Sequence, residues 1–285
     1  MSAEYITSLF YARSQFAIYV GIPICITGIV SELFSIIIFL SLKTFRQNSC
    51  AFYLMSMSIF NLIRSIFGVS LVVISMAFPI NWTSAYFYYC RIRSATVAGC
   101  YVGAGTCLCL AVIDQYFATS SRPRWQQLSN IKFAHRVIIS ITIIWIPHVI
   151  LYFIYFDRLS LTSSATCITI NPVFLQYHIY GYFLAYGIFF PTIAIIFGIL
   201  SYRNARTLTT RTNPLIRREL DKQLTIMVLV EICIYVCASI PFLIFNGYSV
   251  FNTNRDPIYL AQINLIVGIS LIISIISNGV RFFIH

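Results

Sequence analysis

Charge is what this sequence has least of. Asp, Glu, Lys and Arg make up 9% of its 285 residues, and only 8 are acidic. A soluble domain carries about 25% charged residues, and a chain of this size leaves much of its surface in water. With 59% hydrophobic residues and a mean hydropathy of +0.84, a soluble enzyme, a disordered chain and a nucleic-acid module are excluded. The sequence also lacks an internal repeat, a low-complexity tract and any stretch that reads as a separate soluble domain. Its four histidines, His135, His148, His178 and His285, fall in different segments without metal-ligand spacing. No cofactor is expected, and the chain is not expected to be an enzyme. The 9 cysteines lie mostly inside apolar runs. That argues against a disulfide scaffold and leaves room for one outer bridge.

What is present is seven long apolar runs, at about 16–42, 51–78, 90–117, 137–156, 177–202, 224–246 and 258–284. Each is long enough at 1.5 Å per residue to cross about 30 Å of hydrocarbon. Barrel strands would be about half that length, so these are helices, and the expected fold is a single all-α, seven-transmembrane bundle. Residues 1–15 lack a basic region and a cleavage pattern, so the first helix is read as a signal anchor rather than a cleaved signal peptide.

Lys and Arg set the orientation. One side holds Lys43, Arg46, Arg122, Arg124, Lys132, Arg136, Arg203, Arg206, Arg211, Arg217, Arg218, Lys222 and Arg281; the other holds Arg13, Arg91, Arg93, Arg158 and Arg255. The richer side is expected to be cytoplasmic and the N-terminus outside. Most of the net charge of +11 is therefore a topology signal and calls for no nucleic acid.

Particular residues then stand out. Cys90 opens the third run, and Cys167 lies in the second outer loop. Asp114-Gln115-Tyr116 ends the third run, about 36 Å of helix from Cys90, and Arg122-Pro123-Arg124 follows. Trp145 stands in the fourth run with Pro147 just beyond it. Pro191 lies in the fifth run and Pro241 in the sixth. Seven helices with these residues at these places resemble the rhodopsin-like (class A) G protein-coupled receptors over nearly the whole chain. The general look is similar to invertebrate peptide receptors of the FMRFamide type.

The resemblance implies a bridge between Cys90 and Cys167, worth about 2–4 kcal/mol. It implies that Asp114, Gln115 and Tyr116 occupy the place of the family's Asp-Arg-Tyr switch. Asp221 then stands where the family has an acid at the foot of helix six. Gln115 replaces the arginine and cannot make its charge-assisted bond. Pro191 and Pro241 match the family's two helix bends, where a lost backbone bond provides a pivot. Asn61 falls where the family has an acid, and Glu32 where it has an asparagine. The exchange implies a polar core of Glu32 and Asn61 that holds a sodium ion or a proton, or else a structural, hydrogen-bonded Glu32. Arg64 and Glu231 are two further buried charges, and Arg64 is placed to pair with Glu32.

Several family features are absent. Helix six reads Ala238-Ser239-Ile240-Pro241 in place of Cys-Trp-x-Pro, and Tyr235 replaces a phenylalanine. Helix seven reads Ser270-Leu271-Ile272-Ile273-Ser274 where Asn-Pro-x-x-Tyr is expected, and Ile199 replaces a tyrosine. With the sequence reading to His285, no amphipathic eighth helix is expected.

Ligand classes can be narrowed. The seventh run has no lysine for a retinal Schiff base. Val97 stands where amine receptors carry an aspartate. With about 15 residues before the first apolar run, a large binding ectodomain is not expected. The expected ligand mouth is Arg91, Arg93, Val97, Tyr101 and His178, with Tyr86, Tyr88 and Tyr89 nearby. Arginines among tyrosines suit peptides or acidic small ligands, and a peptide is favoured. Asn81 in Asn81-Trp82-Thr83 is a glycosylation candidate. The expected partners are an extracellular ligand, a heterotrimeric G protein and the lipid bilayer of the plasma membrane. Two alternatives remain: a signalling-dead receptor, and a transporter built on Glu32, Arg64 and Glu231.

Overall fold

Each apolar run folds as a helix because, away from water, only intrahelical bonds satisfy its backbone. The computed structural model describes residues 2–78, 87–159, 166–207, 215–251 and 256–284. The long helices are α1 (2–41), α2 (49–77), α3 (Phe87–Thr119), α4 (Ile131–Tyr155), α5 (172–207), α6 (Leu215–Phe251) and α7 (Pro257–Ile284). An antiparallel hairpin of β1 (Phe156–Leu159) and β2 (Thr166–Thr169) joins α4 to α5, with Arg158 opposite Cys167. Among the described residues, seven helices are long and apolar enough to cross a membrane. The chain is an all-α, multi-pass membrane bundle.

Most of the helices begin before their apolar runs do. α4 begins at residue 131 rather than 137, α5 at 172 rather than 177, and α6 at 215 rather than 224. Hydropathy marks the lipid-embedded length, whereas the helix itself starts at a capping residue. Asn48 accepts from the Ala51 N–H at 3.1 Å, Asn130 from the Lys132 N–H at 2.9 Å, and Asn171 from Val173 and Phe174, each at 3.0 Å. Pro172 follows Asn171 at the first turn, where its missing N–H costs nothing.

The largest departure is at the start, where residues 2–15 are helical and pack on the bundle. Ser14 Oγ donates to the Ala77 carbonyl at 2.7 Å, and Gln262 Nε2 donates to the Tyr5 hydroxyl at 3.2 Å. Arg13, counted above as an outer-side charge, lies against α7. A Cβ added at Gly268 would stand 3.2 Å from its Nε, so the missing side chain makes room for the arginine.

α3 is the spine. It packs against α2, α4, α5 and α6, while α7 closes the ring against α6 and α1. Its glycines permit close approach: a Cβ at Gly105 would fall 2.7 Å from the Phe190 ring. α4 is the opposite case, burying only Ala134 and Tyr152 and turning Ile143, Ile144, Ile150 and Ile154 outward, as a lipid-facing helix should.

Among the described residues, three helices contain a π-helical turn: Ala17–Gly21 in α1, Ser65–Val69 in α2 and Phe183–Phe189 in α5. Such turns are frequent at functional sites. The α5 turn runs up to Phe190-Pro191, so the irregularity expected at Pro191 lies in the residues before it. Pro147 and Pro241 stand inside unbroken helices.

Candidate functional site

Three contacts tie the N-terminal end of α3, the outer end in the orientation expected from Lys and Arg, to its surroundings. Cys90 is bridged to Cys167 of β2, with Cα atoms 5.6 Å apart. Arg91 Nη2 donates to Asp157 Oδ2 of β1 at 2.8 Å. Arg93 turns toward α2, where its Nε donates to the Phe67 carbonyl at 3.1 Å and its Nη2 to that of Gly68 at 3.4 Å. Both carbonyls belong to the α2 π turn, whose widened geometry disturbs the regular bonding.

Beneath this end lies a cavity of about 830 Å³, walled mainly by α3, α4, α5 and α6. Of the expected mouth residues, Arg93, Val97, Tyr101 and His178 line it. Arg91 does not, because the Asp157 pair holds it at the hairpin. Tyr88 and Tyr89 are also not among the lining residues. Asn81 and Tyr86 lie outside the described residues.

Cross-helix polar pairs brace the walls. Tyr101 and Tyr182 hydroxyls meet at 2.7 Å. His148 Nδ1 lies 2.7 Å from the Tyr177 hydroxyl, and His178 Nδ1 lies 2.6 Å from that of Tyr152. Trp145 Nε1 donates to Thr106 Oγ1 at 3.2 Å. Sequence reasoning used Trp145 only as a family marker and missed Tyr152, Tyr177, Tyr182 and His148 as lining residues. A signal was there: His148 and Tyr152, like His178 and Tyr182, are four apart and so share a helix face.

The middle of the bundle carries buried polar residues. Glu32, Ser35 and Asn61 are buried on α1 and α2, Glu231 on α6 and Ser270 on α7. Ser35 Oγ has no partner among the described residues. Ser35 follows Glu32 by three residues on α1, so the two lie on one face of that helix. No cluster of three His, Cys, Asp or Glu residues suited to a metal ion occurs among the described residues. Arg64 sits over the Tyr101 ring, its guanidinium carbon 4.9 Å from the centroid, which links this layer to the cavity above.

The C-terminal end of α3, the inner end in that expected orientation, carries Asp114 and Gln115, both buried. Asp114 Oδ2 accepts from Ser49 Oγ of α2 at 2.7 Å and from Ser129 Oγ of the α3–α4 loop at 3.0 Å. Gln115 Oε1 accepts from Thr225 Oγ1 of α6 at 3.3 Å, and its Nε2 has no partner among the described residues. Tyr116 packs edge-on against Phe197 and Trp125. Thr225 lies one helical turn beyond Asp221, whose side chain is outside the described residues. Contact between α3 and α6 at this level is therefore present, with Thr225 as the partner seen. Neither Ser49, Ser129 nor Thr225 was picked out by motif, because each becomes notable only through the residue it faces.

The chain matches no protein-family model and no curated protein.

Proposed function

We propose that the chain is a receptor of the rhodopsin-like, G protein-coupled type, with its N-terminus and cavity facing outward at the plasma membrane. The observation that carries this reading is the construction of α3. One continuous helix lines a ligand-sized cavity at its outer end and holds a buried Asp114–Gln115 pair, bonded to α2, α6 and the α3–α4 loop, at its inner end. A ligand that favours one packing of α3 against α5 and α6 biases the contacts at the other end. The excess of Lys and Arg on the Asp114 side supports that side as cytoplasmic.

The test is heterotrimeric G-protein dissociation in cells expressing the chain, read with a library of peptides and small acids. Tags at both ends check orientation by selective permeabilisation. The expected result is ligand-dependent dissociation, with the N-terminal tag reachable in intact cells. A C-terminal tag reachable in intact cells would overturn the orientation. A surface-expressed chain that binds ligand but activates no G protein, even as Gln115→Arg, would overturn coupling. The neutral Gln115–Thr225 bond specifically favours that second reading, a receptor that binds without signalling.

A further inference from the structure

Arg93 is the only charged residue among the described residues lining the cavity, and none of them is a carboxylate. Its neighbour on α3 supplies the contrast. Arg91 meets Asp157 at 2.8 Å, whereas the hydrogen bonds of Arg93 among the described residues go to the Phe67 and Gly68 carbonyls, with the neutral Tyr89 phenol nearby. A guanidinium has five N–H donors, so these two bonds leave most of them unused, and neutral carbonyls do not cancel its charge. A half-buried cation without a counter-ion among the described residues is unfavourable, and an anion beside it relieves that cost.

Val97, Trp145, Phe242 and Leu243 supply much of the apolar wall, and Ser94 and Asn246 are neutral polar residues in it. The tyrosine and histidine tips are bonded to one another: Tyr101 to Tyr182, His148 to Tyr177 and Tyr152 to His178. The site thus offers one cationic point, a few neutral polar groups and a large apolar volume, with no carboxylate among the described lining residues to neutralise an amine.

We infer that the cavity takes a mono-anionic amphiphile, with its acid group beside Arg93 and a single apolar body reaching toward Trp145 and the Tyr101–Tyr182 pair. This rests on the reading of the cavity as a receptor's ligand site and narrows its ligand from peptides and acids to acids. A free acid and an acidic membrane lipid share that chemistry.

The experiment uses the full chain with Trp82→Phe and Trp125→Phe, so that Trp145 is the only remaining tryptophan and its fluorescence reports the cavity. In maltoside micelles the probes are laurate, methyl laurate and dodecylamine, with 2-naphthylacetate and its methyl ester as an aromatic pair. In at least one pair the acid is expected to bind about 10-fold or more tightly than the ester, the gain of a charge-assisted bond, and dodecylamine is expected to bind weakest. Arg93→Gln should erase the acid preference and Arg93→Lys should retain it. If Arg93→Gln fails to fold, the acid-to-ester ratio of the chain with Arg93 intact decides alone.

Equal acid and ester affinity in both pairs, a preference for the amine, or no acid binding up to millimolar concentration overturns the inference. Displacement of bound acid by phosphatidylglycerol supports it with the bilayer as source; retention of the acid supports it with a free acid as source. Acid binding without G-protein dissociation leaves the inference standing and counts against the receptor reading. Activation by some other ligand, with no acid preference, does the reverse.

Discussion

The two ends of α3 are built from different interactions. The outer end is held by a covalent bridge and an ion pair to the same hairpin. The inner end is held by hydroxyls donated to Asp114 and Gln115. A covalent bond does not exchange on the timescale of a conformational change, whereas a hydroxyl can rotate to another acceptor at small net cost. The outer end is therefore suited to keeping a cavity in one shape, and the inner end to having more than one arrangement. Interhelical hydrogen bonds in membrane bundles average about 0.6 kcal/mol, so the contrast should appear as a graded series of mutational effects.

The largest effect belongs to the bridge. Replacing Cys90 or Cys167 by Ser should cost about 2–4 kcal/mol and lower surface expression, measured by flow cytometry of a tagged chain. The double substitution should be no worse than the worse single one, because either change removes the whole bond. The neighbouring Arg91–Asp157 pair is about one-third exposed and should add at most about 1 kcal/mol. If Asp157→Asn cost as much as Cys90→Ser, the outer end would be held by charge rather than by covalency.

Next comes Asp114, which gathers Ser49 and Ser129 at 2.7 and 3.0 Å. Bonds to a charged group contribute about 1.5–3 kcal/mol, so Asp114→Ala should lower thermal stability by about that amount, read by a thiol-reactive dye. Asp114→Asn keeps an oxygen acceptor and should recover part of the loss. No recovery would mean that the carboxylate charge, rather than its accepting oxygen, holds the α3–α4 loop.

The Tyr101–Tyr182 pair in the cavity wall is a single neutral bond at 2.7 Å. Tyr101→Phe should cost about 0.5–1.5 kcal/mol. Because both rings line the cavity, it should also change ligand affinity, which no inner-end substitution is expected to do directly. Equal shifts in ligand affinity from Tyr101→Phe and Thr225→Val would mean that the two ends are more tightly coupled than the contacts indicate.

These sites were unevenly legible. The seven helices follow from hydropathy alone, since a run of about 20 apolar residues has few other fates. Their starts do not, because Asn130 and Asn171 act as caps outside the apolar runs. The Cys90–Cys167 pairing came through resemblance, and the structure contains it. Arg91 was placed with the ligand mouth because its partner, Asp157, is 66 residues away and meets it only once the hairpin folds back. The His148–Tyr177 and Tyr152–His178 pairs depend on how α4 and α5 are rotated about their axes, and an almost uniformly apolar sequence carries little information on that rotation. Asp114 and Gln115 were legible as positions, but their hydroxyl partners were not, since serine and threonine are common in membrane helices for packing reasons as well.

The smallest expected effect is the most informative about the inner end. Gln115 is fully buried, accepts from Thr225 at 3.3 Å, and has an Nε2 with no partner among the described residues. Thr225→Val removes the donor and leaves a buried amide with still fewer bonds, so it should cost about 0.5–1.5 kcal/mol. Gln115→Leu removes the same bond but also removes the buried amide N–H groups. An unpaired buried polar group costs about 1–3 kcal/mol, so the two terms oppose each other, and Gln115→Leu should be near neutral or stabilising. The double substitution should then be more stable than Thr225→Val alone, which gives a non-additive cycle in thermal stability. Asp221, one turn earlier on α6, sharpens the test. If its carboxylate accepts from the Gln115 Nε2, Gln115→Leu becomes clearly destabilising, and Asp221→Asn should shrink that loss. Gln115→Arg should in that case raise stability only while Asp221 is intact, and basal G-protein activation should show the same dependence. Additive effects of all three substitutions, in stability and in basal activation alike, would mean that the inner end is a passive polar patch and that only the outer end of α3 carries function.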